Sequence, residues 1–139
     1  DAPKMGARLC ARKARPALIL SSPAKRAWAT ARHVAQALAC PRGCLRTESG
    51  LYLASPGEIL TIVESQPDSC SDLLVVGHNP GLTDLANQLL PDLRLDNLPT
   101  AGVVAIQCAA PTWSALGRSE RTLLYYDYPK NPERPPTED

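Results

Sequence analysis

The sequence predicts an α/β domain in which helices cover both faces of a mostly parallel sheet. Short apolar segments alternate along the chain with longer segments whose apolar residues recur at helical spacing. Two junctions share one design, in which an apolar strand is followed by a polar residue, a proline and a helix. The chain has 139 residues, the size of one domain, and shows no internal repeat beyond this doubled unit. A single domain with three layers is therefore expected.

The later of the two junctions, the His78 junction, follows a continuous apolar run at Leu73–Val76. Such a run is typical of a strand that is buried on both faces of a parallel sheet. Gly77 ends the run, His78 follows it, Asn79 is a candidate N-cap and Pro80 suits the first turn of a helix. His78 is therefore expected at the carboxyl end of a strand and beside a helix N-terminus, where α/β domains bind ligands and free N–H groups favour anions.

The earlier junction, the Ser22 junction, repeats this design. Residues 17–20 form a short apolar run, Ser22 is the candidate N-cap and Pro23 is the first helical residue. Lys25 and Arg26 then stand in the first turn of the helix, where each positive charge opposes the helix macrodipole by about 0.3–1 kcal/mol. A bound anion would reverse the sign of this interaction. Arg26 is therefore a candidate anion ligand, although a solvated surface charge would explain both cations as well.

The other elements follow from apolar spacing and from the positions of proline. Helices are expected at residues 1–14, 23–39, 56–66 and 80–90, and strands at 17–20, 45–47, 73–76, 103–108 and 122–126. The connections at 48–55, 92–99 and 109–121 are expected to be loops. Residues 129–139 are rich in proline and charge, so we expect a flexible tail after a domain that comprises residues 1–128.

Composition and charge argue against several classes of function. The formal net charge of +1 gives no reason to expect a nucleic acid or a membrane as a partner. No apolar run approaches the roughly 20 residues that span a bilayer. Five cysteines are an odd number for a disulfide framework, which favours a reduced, cytoplasmic protein. Cys40 and Cys44 could be half of a zinc site, but no second Cys or His pair has zinc spacing, so neither a metal nor another cofactor is expected.

Strands that run parallel in one sheet bring their carboxyl ends to the same edge, so Arg26 and His78 are expected to meet at one site. Arginine carries a fork of donors that suits phosphate, and histidine can donate a hydrogen bond or transfer a proton near neutral pH. The pair therefore predicts a site for a phosphate or another tetrahedral oxyanion. An α/β interaction domain whose two junctions are purely structural is the alternative that these residues leave open.

The two junctions also resemble motifs of a known family. Residues 20–27, Leu-Ser-Ser-Pro-Ala-Lys-Arg-Ala, and the Ala-Thr-Ala at residues 29–31 are similar to the "SSP…RA…TA" motif of the histidine phosphatase (phosphoglycerate-mutase-like) superfamily. Residues 75–80, Val-Val-Gly-His-Asn-Pro, are similar to the block that holds the second histidine of that family. The short chain and the Asn-Pro-Gly after His78 resemble the small SixA-type phosphohistidine phosphatases in particular.

The resemblance implies a phosphohydrolase. In the family a nucleophilic histidine attacks phosphorus and is transiently phosphorylated, and arginines and a second histidine stabilise the charge of the phosphoryl group. By this resemblance Arg26 matches a phosphate-binding arginine and His78 matches the second histidine. The backbone N–H of Asn79 is a plausible further donor, and Ser22 fits its motif as a substrate-site residue. The implied partner is a phosphorylated protein or a small phosphorylated substrate.

One motif of the family has no counterpart here. The family's nucleophile lies in an Arg-His-Gly motif that ends its first strand, and no Arg-His-Gly occurs in the sequence. Arg32 and His33 lie about two turns inside a predicted helix and are expected to be a surface pair. The first strand and the nucleophile are therefore expected to precede Asp1, and the chain alone is expected to be inactive.

That first strand is central to the family's sheet. Its absence should leave the edges of the neighbouring strands unpaired and a gap in the core.

A non-catalytic module that binds phosphate or a phosphoprotein, with the pocket kept and the nucleophile lost, is the alternative to the enzyme.

Overall fold

The computed structural model of the chain describes residues 2–133 and 135, and within them helices alternate with strands. Helices α1 to α4 comprise Ala2–Ala11, Lys25–Ala37, Pro56–Glu64 and Gly81–Leu89. Strands β1 to β5 comprise Leu18–Ser21, Leu45–Thr47, Leu73–Val76, Val103–Cys108 and Arg121–Asp127. Two short 3-10 helices, Ser49–Leu51 and Trp113–Arg118, lie in connections that the sequence predicted as loops. No helix of this part of the chain is long and apolar enough to cross a bilayer.

The predicted helices are present, but α1 and α2 end earlier than the sequence indicated. After α1 the N–H of Ala14 donates to the carbonyl of Leu9, and Lys13 between them adopts a left-handed backbone with φ of 62°. The end of α2 is built in the same way, with Ala39 at φ of 52°. Glycine usually marks such a helix end, and neither helix has glycine there. The sequence therefore lacked the signal that would have ended both helices correctly.

Strand β1 is the centre of a parallel sheet, with β2 on one side and β3 on the other. Leu18 and Leu20 pack with residues of α3 and α4, whereas Ile19 packs on the opposite face with Ala31 of α2. All four residues of β1 are buried, because helices cover both faces of the sheet. The α/β domain with helices on both sides of a parallel sheet is therefore confirmed.

Strands β4 and β5 form a separate antiparallel pair, and β3 and β4 each have a partner strand on one side only. A cavity of about 770 Å³ lies between these two strands and is lined by residues of both. The carbonyls of Asp72 and Val76 accept hydrogen bonds from β1 and its flanking residues. Because backbone groups alternate along a strand, the N–H and C=O groups of Leu73 and Val75 point towards the free edge.

Strands β3 and β4 therefore present unpaired edges with a gap between them. This arrangement corrects one expectation, because β3 is not buried on both faces. Its four residues are only partly buried, since the strand is an edge of its sheet and faces the cavity.

Helix α1 is fastened to β5 by the carboxylate of Asp127, which is fully buried. Asp127 forms ion pairs with Arg8 at 2.8 Å and with Arg12 at 3.0 Å. Burial by itself raises the pKa of Asp127, but hydrogen bonds from Arg8, Asn131 and Arg12 outweigh burial and lower the pKa from 3.8 to about 2. This carboxylate therefore stays ionised in the folded protein.

The first residues of the segment predicted as a tail contact the domain. The side chain of Asn131 donates to Asp127 at 3.0 Å, and Arg8 donates to the carbonyl of Glu133. Residues 134 and 136–139 of the expected tail lie outside the described residues.

Candidate functional site

Ser22 and His78 meet at the carboxyl edge of the parallel sheet. Ser22 directly follows β1, and His78 follows β3 after one glycine. The register pairs Ser21 with Val76, so the two junctions begin side by side. The Nε2 atom of His78 lies 2.7 Å from the hydroxyl oxygen of Ser22, and the tautomer of the ring decides which group donates this hydrogen bond. The prediction that both junctions open at the same edge is confirmed.

Ser22 does not cap α2, so its predicted role as N-cap is wrong. The helix begins at Lys25, and its N-cap position is occupied by Ala24, whose side chain has no acceptor. The chain instead makes a short turn after β1, in which the N–H of Ala24 donates to the Ser22 hydroxyl at 3.2 Å. Ser22 is completely buried. Its hydroxyl therefore bonds to the turn and to His78, and it does not cap the N-terminus of α2.

Arg26 lies in the first turn of α2, as predicted, and its side chain is exposed. The first turn of α2 contains no acidic residue. In the part of the chain that the structure describes, no ion pair involves Lys25 or Arg26, and Arg26 makes no hydrogen bond to Ser22 or His78. The structure thus brings Ser22 to His78, and among the described residues Arg26, in the first turn of α2, has no carboxylate partner.

Asn79 does not cap α4, because the helix begins at Gly81 and the cap position is Pro80. Its side chain instead anchors a distant loop. The amide nitrogen donates to the carbonyl of Leu98 at 2.9 Å, and the amide oxygen accepts from the hydroxyl of Thr83 at 2.8 Å. The backbone N–H of Asn79 donates to no atom of the described residues. Its role as a hydrogen-bond donor to a bound anion stays a prediction.

Tyr52 is a residue of this site that sequence reasoning missed. Its ring stands edge-on to His78, with the ring centroids 5.6 Å apart and the planes at 83°. Tyr52 directly follows the 3-10 helix in the connection between β2 and α3. This connection leaves the carboxyl end of β2, the strand beside β1, and is therefore expected near the site. The presence of an aromatic residue in that connection was the sequence signal that could have identified Tyr52 as a site residue.

Other candidates from the sequence stay outside this site. Arg32 and His33 are exposed within α2, as expected for a surface pair. Burial and the neighbouring Cys44 thiol raise the pKa of Cys40 to about 11. No cluster of three or more His, Cys, Asp or Glu side chains suited to a metal ion occurs among residues 2–133 and 135.

No protein-family model matches the sequence, and no curated protein sequence matches it. Solved structures do match the fold. A structure from Nakamurella multipartitia, assigned as the phosphohistidine phosphatase SixA, superposes with a TM-score of 0.72 at 22% identity, over 94% of this chain and 80% of that chain. A structure from Agrobacterium tumefaciens with the same assignment has a TM-score of 0.73 at 20% identity, over 92% of this chain and 77% of that chain.

A third match is the protein histidine phosphatase SixA complexed with tungstate, with a TM-score of 0.76 at 18% identity, over 93% of this chain and 79% of that chain. These identities are low, so the likeness establishes the fold. The chain is a mixed α/β domain with the fold of the SixA phosphohistidine phosphatases. The resemblance that the two sequence motifs indicated is thereby confirmed for the fold.

Proposed function

We propose that the protein is a phosphohydrolase, which removes a phosphoryl group from phosphohistidine in a protein or from a small phosphoester through a phosphorylated histidine. The observation that carries this proposal is the 2.7 Å contact between His78 Nε2 and the Ser22 hydroxyl. It joins two motif blocks that lie 56 residues apart in the sequence. The contact lies at the carboxyl ends of adjacent parallel strands, where ligands bind in α/β domains.

The proposed roles follow from the donors at this edge. His78 and the backbone N–H of Asn79 would donate to the phosphoryl oxygens, and Arg26 would contribute the positive charge. Donors that are already in place stabilise developing charge without reorganising during the reaction, which is usually the largest contribution to such catalysis. The Ser22 hydroxyl would hold the imidazole of His78 in one orientation.

The gap between β3 and β4 supports a nucleophile carried by an additional strand. A strand in this gap could pair with the free backbone groups of Leu73 and Val75. If it ran parallel to β3, its carboxyl end would lie beside His78 and Ser22. An Arg-His-Gly motif at that end would place its nucleophilic histidine next to a phosphoryl group bound at His78. About a fifth of each matched structure lies outside the part that this chain covers, which leaves room for such a strand.

The proposed reaction has two displacements at phosphorus. A histidine nitrogen forms a bond to phosphorus while the bond to the leaving nitrogen or oxygen breaks, and the leaving group takes up a proton. Water then attacks the phosphorylated histidine, the P–N bond breaks and inorganic phosphate is released. The histidine of a phosphohistidine substrate is a good leaving group, which takes its proton from solvent and needs little help from an acid of the protein.

The test is phosphate release from a phosphohistidine peptide by the full gene product, including any residues encoded upstream of Asp1. We expect turnover, and an acid-labile phosphoryl group on the protein after rapid quenching. The chain alone is expected to be inactive. Saturable binding of tungstate or vanadate by the full product without turnover would instead identify the non-catalytic phosphate-binding module. A product that neither turns over nor binds oxyanions would contradict both functions.

A further inference from the structure

We infer that the neutral imidazole of His78 carries its proton on Nδ1, and that Ser22 fixes this tautomer by donating its hydroxyl hydrogen to Nε2. The donor that His78 offers to a bound oxyanion is then the Nδ1–H. Ser22 is thereby a positioning residue that acts through His78. The identity of the oxyanion rests on the proposed function, whereas the tautomer is decided by the bonds within the chain.

The hydrogen-bonding capacity of the Ser22 hydroxyl is limited. A hydroxyl has one hydrogen to donate and two lone pairs that accept. The backbone N–H of Ala24 can only donate, and it donates to this oxygen at 3.2 Å. Among the described residues, the other partner of the hydroxyl is His78 Nε2 at 2.7 Å. Nε2 is therefore the acceptor that the structure offers to the hydroxyl hydrogen.

The burial of Ser22 excludes the opposite arrangement. The residue has no exposed surface, so its hydroxyl hydrogen cannot turn to solvent. If Nε2 carried the ring proton, it would donate to the Ser22 oxygen and leave the hydroxyl hydrogen without an acceptor. A buried donor without a partner costs the free energy of its desolvation. The tautomer with the proton on Nδ1 satisfies both groups.

The other ring nitrogen, Nδ1, is the one that a ligand can reach. No hydrogen bond joins it to a described residue. Among residues 2–133 and 135, however, no buried side-chain nitrogen or oxygen lacks a hydrogen-bond partner. Nδ1 of the partly buried His78 must therefore have exposed surface. Its N–H can donate to an oxyanion that binds at this edge of the sheet.

The orientation of the His78 ring is fixed as well. A half-turn about the Cβ–Cγ bond would exchange Nε2 with the carbon Cε1 and would break the bond to Ser22. The Tyr52 ring stands edge-on to the imidazole, with the centroids 5.6 Å apart. The carbonyl of His78 accepts from the N–H of Leu82 at 3.0 Å, which holds the backbone of the residue. Nδ1 and Nε2 therefore keep separate places in the site.

The test is long-range ¹⁵N NMR of the full gene product with labelled histidine, which distinguishes a protonated from an unprotonated ring nitrogen. It is recorded at about pH 8.5, where free histidine is neutral. The signals of His78 are those lost in His78→Gln. We expect at least a roughly fivefold excess of the Nδ1–H tautomer, the ratio that corresponds to about 1 kcal/mol.

Two serine variants test the cause of this excess. In Ser22→Ala the tautomer ratio should move to that of His33, whose ring is exposed within α2. Ser21→Ala is the matched control and should keep the excess. It removes an equally buried hydroxyl that bonds to the carbonyl of Ser22 and not to His78.

Tungstate is the probe for the ligand. Its addition to the full gene product should shift the ¹⁵N resonance of Nδ1 more than that of Nε2.

The wild type can overturn the inference even if Ser22→Ala does not fold. Equal populations of the two tautomers, or a proton mainly on Nε2, would overturn it. An unchanged ratio in folded Ser22→Ala, or a tungstate shift that is larger at Nε2, would also overturn it. Absence of turnover together with the Nδ1–H tautomer would support the assignment and contradict the proposed function alone.

Discussion

The imidazole of His78 and the hydroxyl of Ser22 are joined by a 2.7 Å hydrogen bond between two strand ends. The bond exists because β1 and β3 are adjacent and parallel, in a register that pairs Ser21 with Val76. It turns two separate junctions into one site at the carboxyl edge of the sheet. The following predictions test this site and the structure that holds it.

Replacing His78 or Arg26 by alanine should lower kcat/KM for phosphoramidate at least tenfold in the full gene product. Each change removes a proposed partner of the phosphoryl group, and a tenfold loss corresponds to about 1.4 kcal/mol of transition-state stabilisation. Phosphate release is the measurement. His33→Ala is the control, since this second histidine is exposed within α2 and should be silent. Full activity in either site variant would refute its assignment.

Ser22→Ala should weaken the binding of tungstate about fivefold, because His78 loses the hydroxyl that orients it and one such hydrogen bond contributes about 1 kcal/mol. Calorimetry on the full gene product measures this affinity. Ser21→Ala is a matched control, since it removes an equally buried hydroxyl that bonds only to the carbonyl of Ser22. An equal loss of affinity in both variants would show that general destabilisation, rather than the bond to His78, is responsible.

The pH dependence of stability should reflect Asp127. Its pKa is lowered to about 2 in the folded state and is about 3.9 when the chain is unfolded, so its contribution is complete above pH 5. The contribution, on the order of 2 kcal/mol, is lost as the pH falls from 5 towards 2. Urea unfolding of the wild type and Asp127→Asn at several pH values measures it.

Asp127→Asn should be less stable at pH 7 by roughly 3 kcal/mol, because Arg8 and Arg12 lose their anion. The difference between the two proteins should shrink at pH 3. A constant difference across this range would exclude ionisation of Asp127 as its cause.

Gly81→Ala should destabilise the domain by at least about 2 kcal/mol, since its Cβ would lie 2.1 Å from the carbonyl oxygen of Ala54 and backbone must move. Gly57→Ala is the matched control. Gly57 also lies in the first turn of a helix, its Cβ would meet no atom within 4 Å, and alanine there should be neutral or slightly stabilising. Denaturant midpoints compare the two. Similar midpoints would contradict the close contact between the two segments.

Amide hydrogen exchange should reveal the open edge of β3. In the 139-residue chain, the amides of Leu73 and Val75 should exchange faster than those of Leu74 and Val76, which face β1. In the full gene product, a strand in the gap should slow exchange at Leu73 and Val75 at least tenfold. Unchanged exchange there would argue against the additional strand.

Much of the fold could be predicted because its signals are local. Strands β2, β3 and β4 have the predicted bounds, and proline marks the start of α3. The placement of His78 at a strand end also followed from its neighbours in the sequence. The helix caps were harder, because Ser22 and Asn79 have the residue types of N-caps and use their side chains elsewhere.

The sequence by itself determined the alternation of strands and helices, the two strand–proline–helix junctions and the expected gap, since each follows from local patterning or from matched motifs. Only the tertiary structure decided that Ser22 is the partner of His78, that Tyr52 stands against the same ring, and that β3 faces an open cavity. These relationships depend on the register of β1 with β3 and on which segments pack beside them. Residues far apart in the chain create them, so no local pattern encodes them.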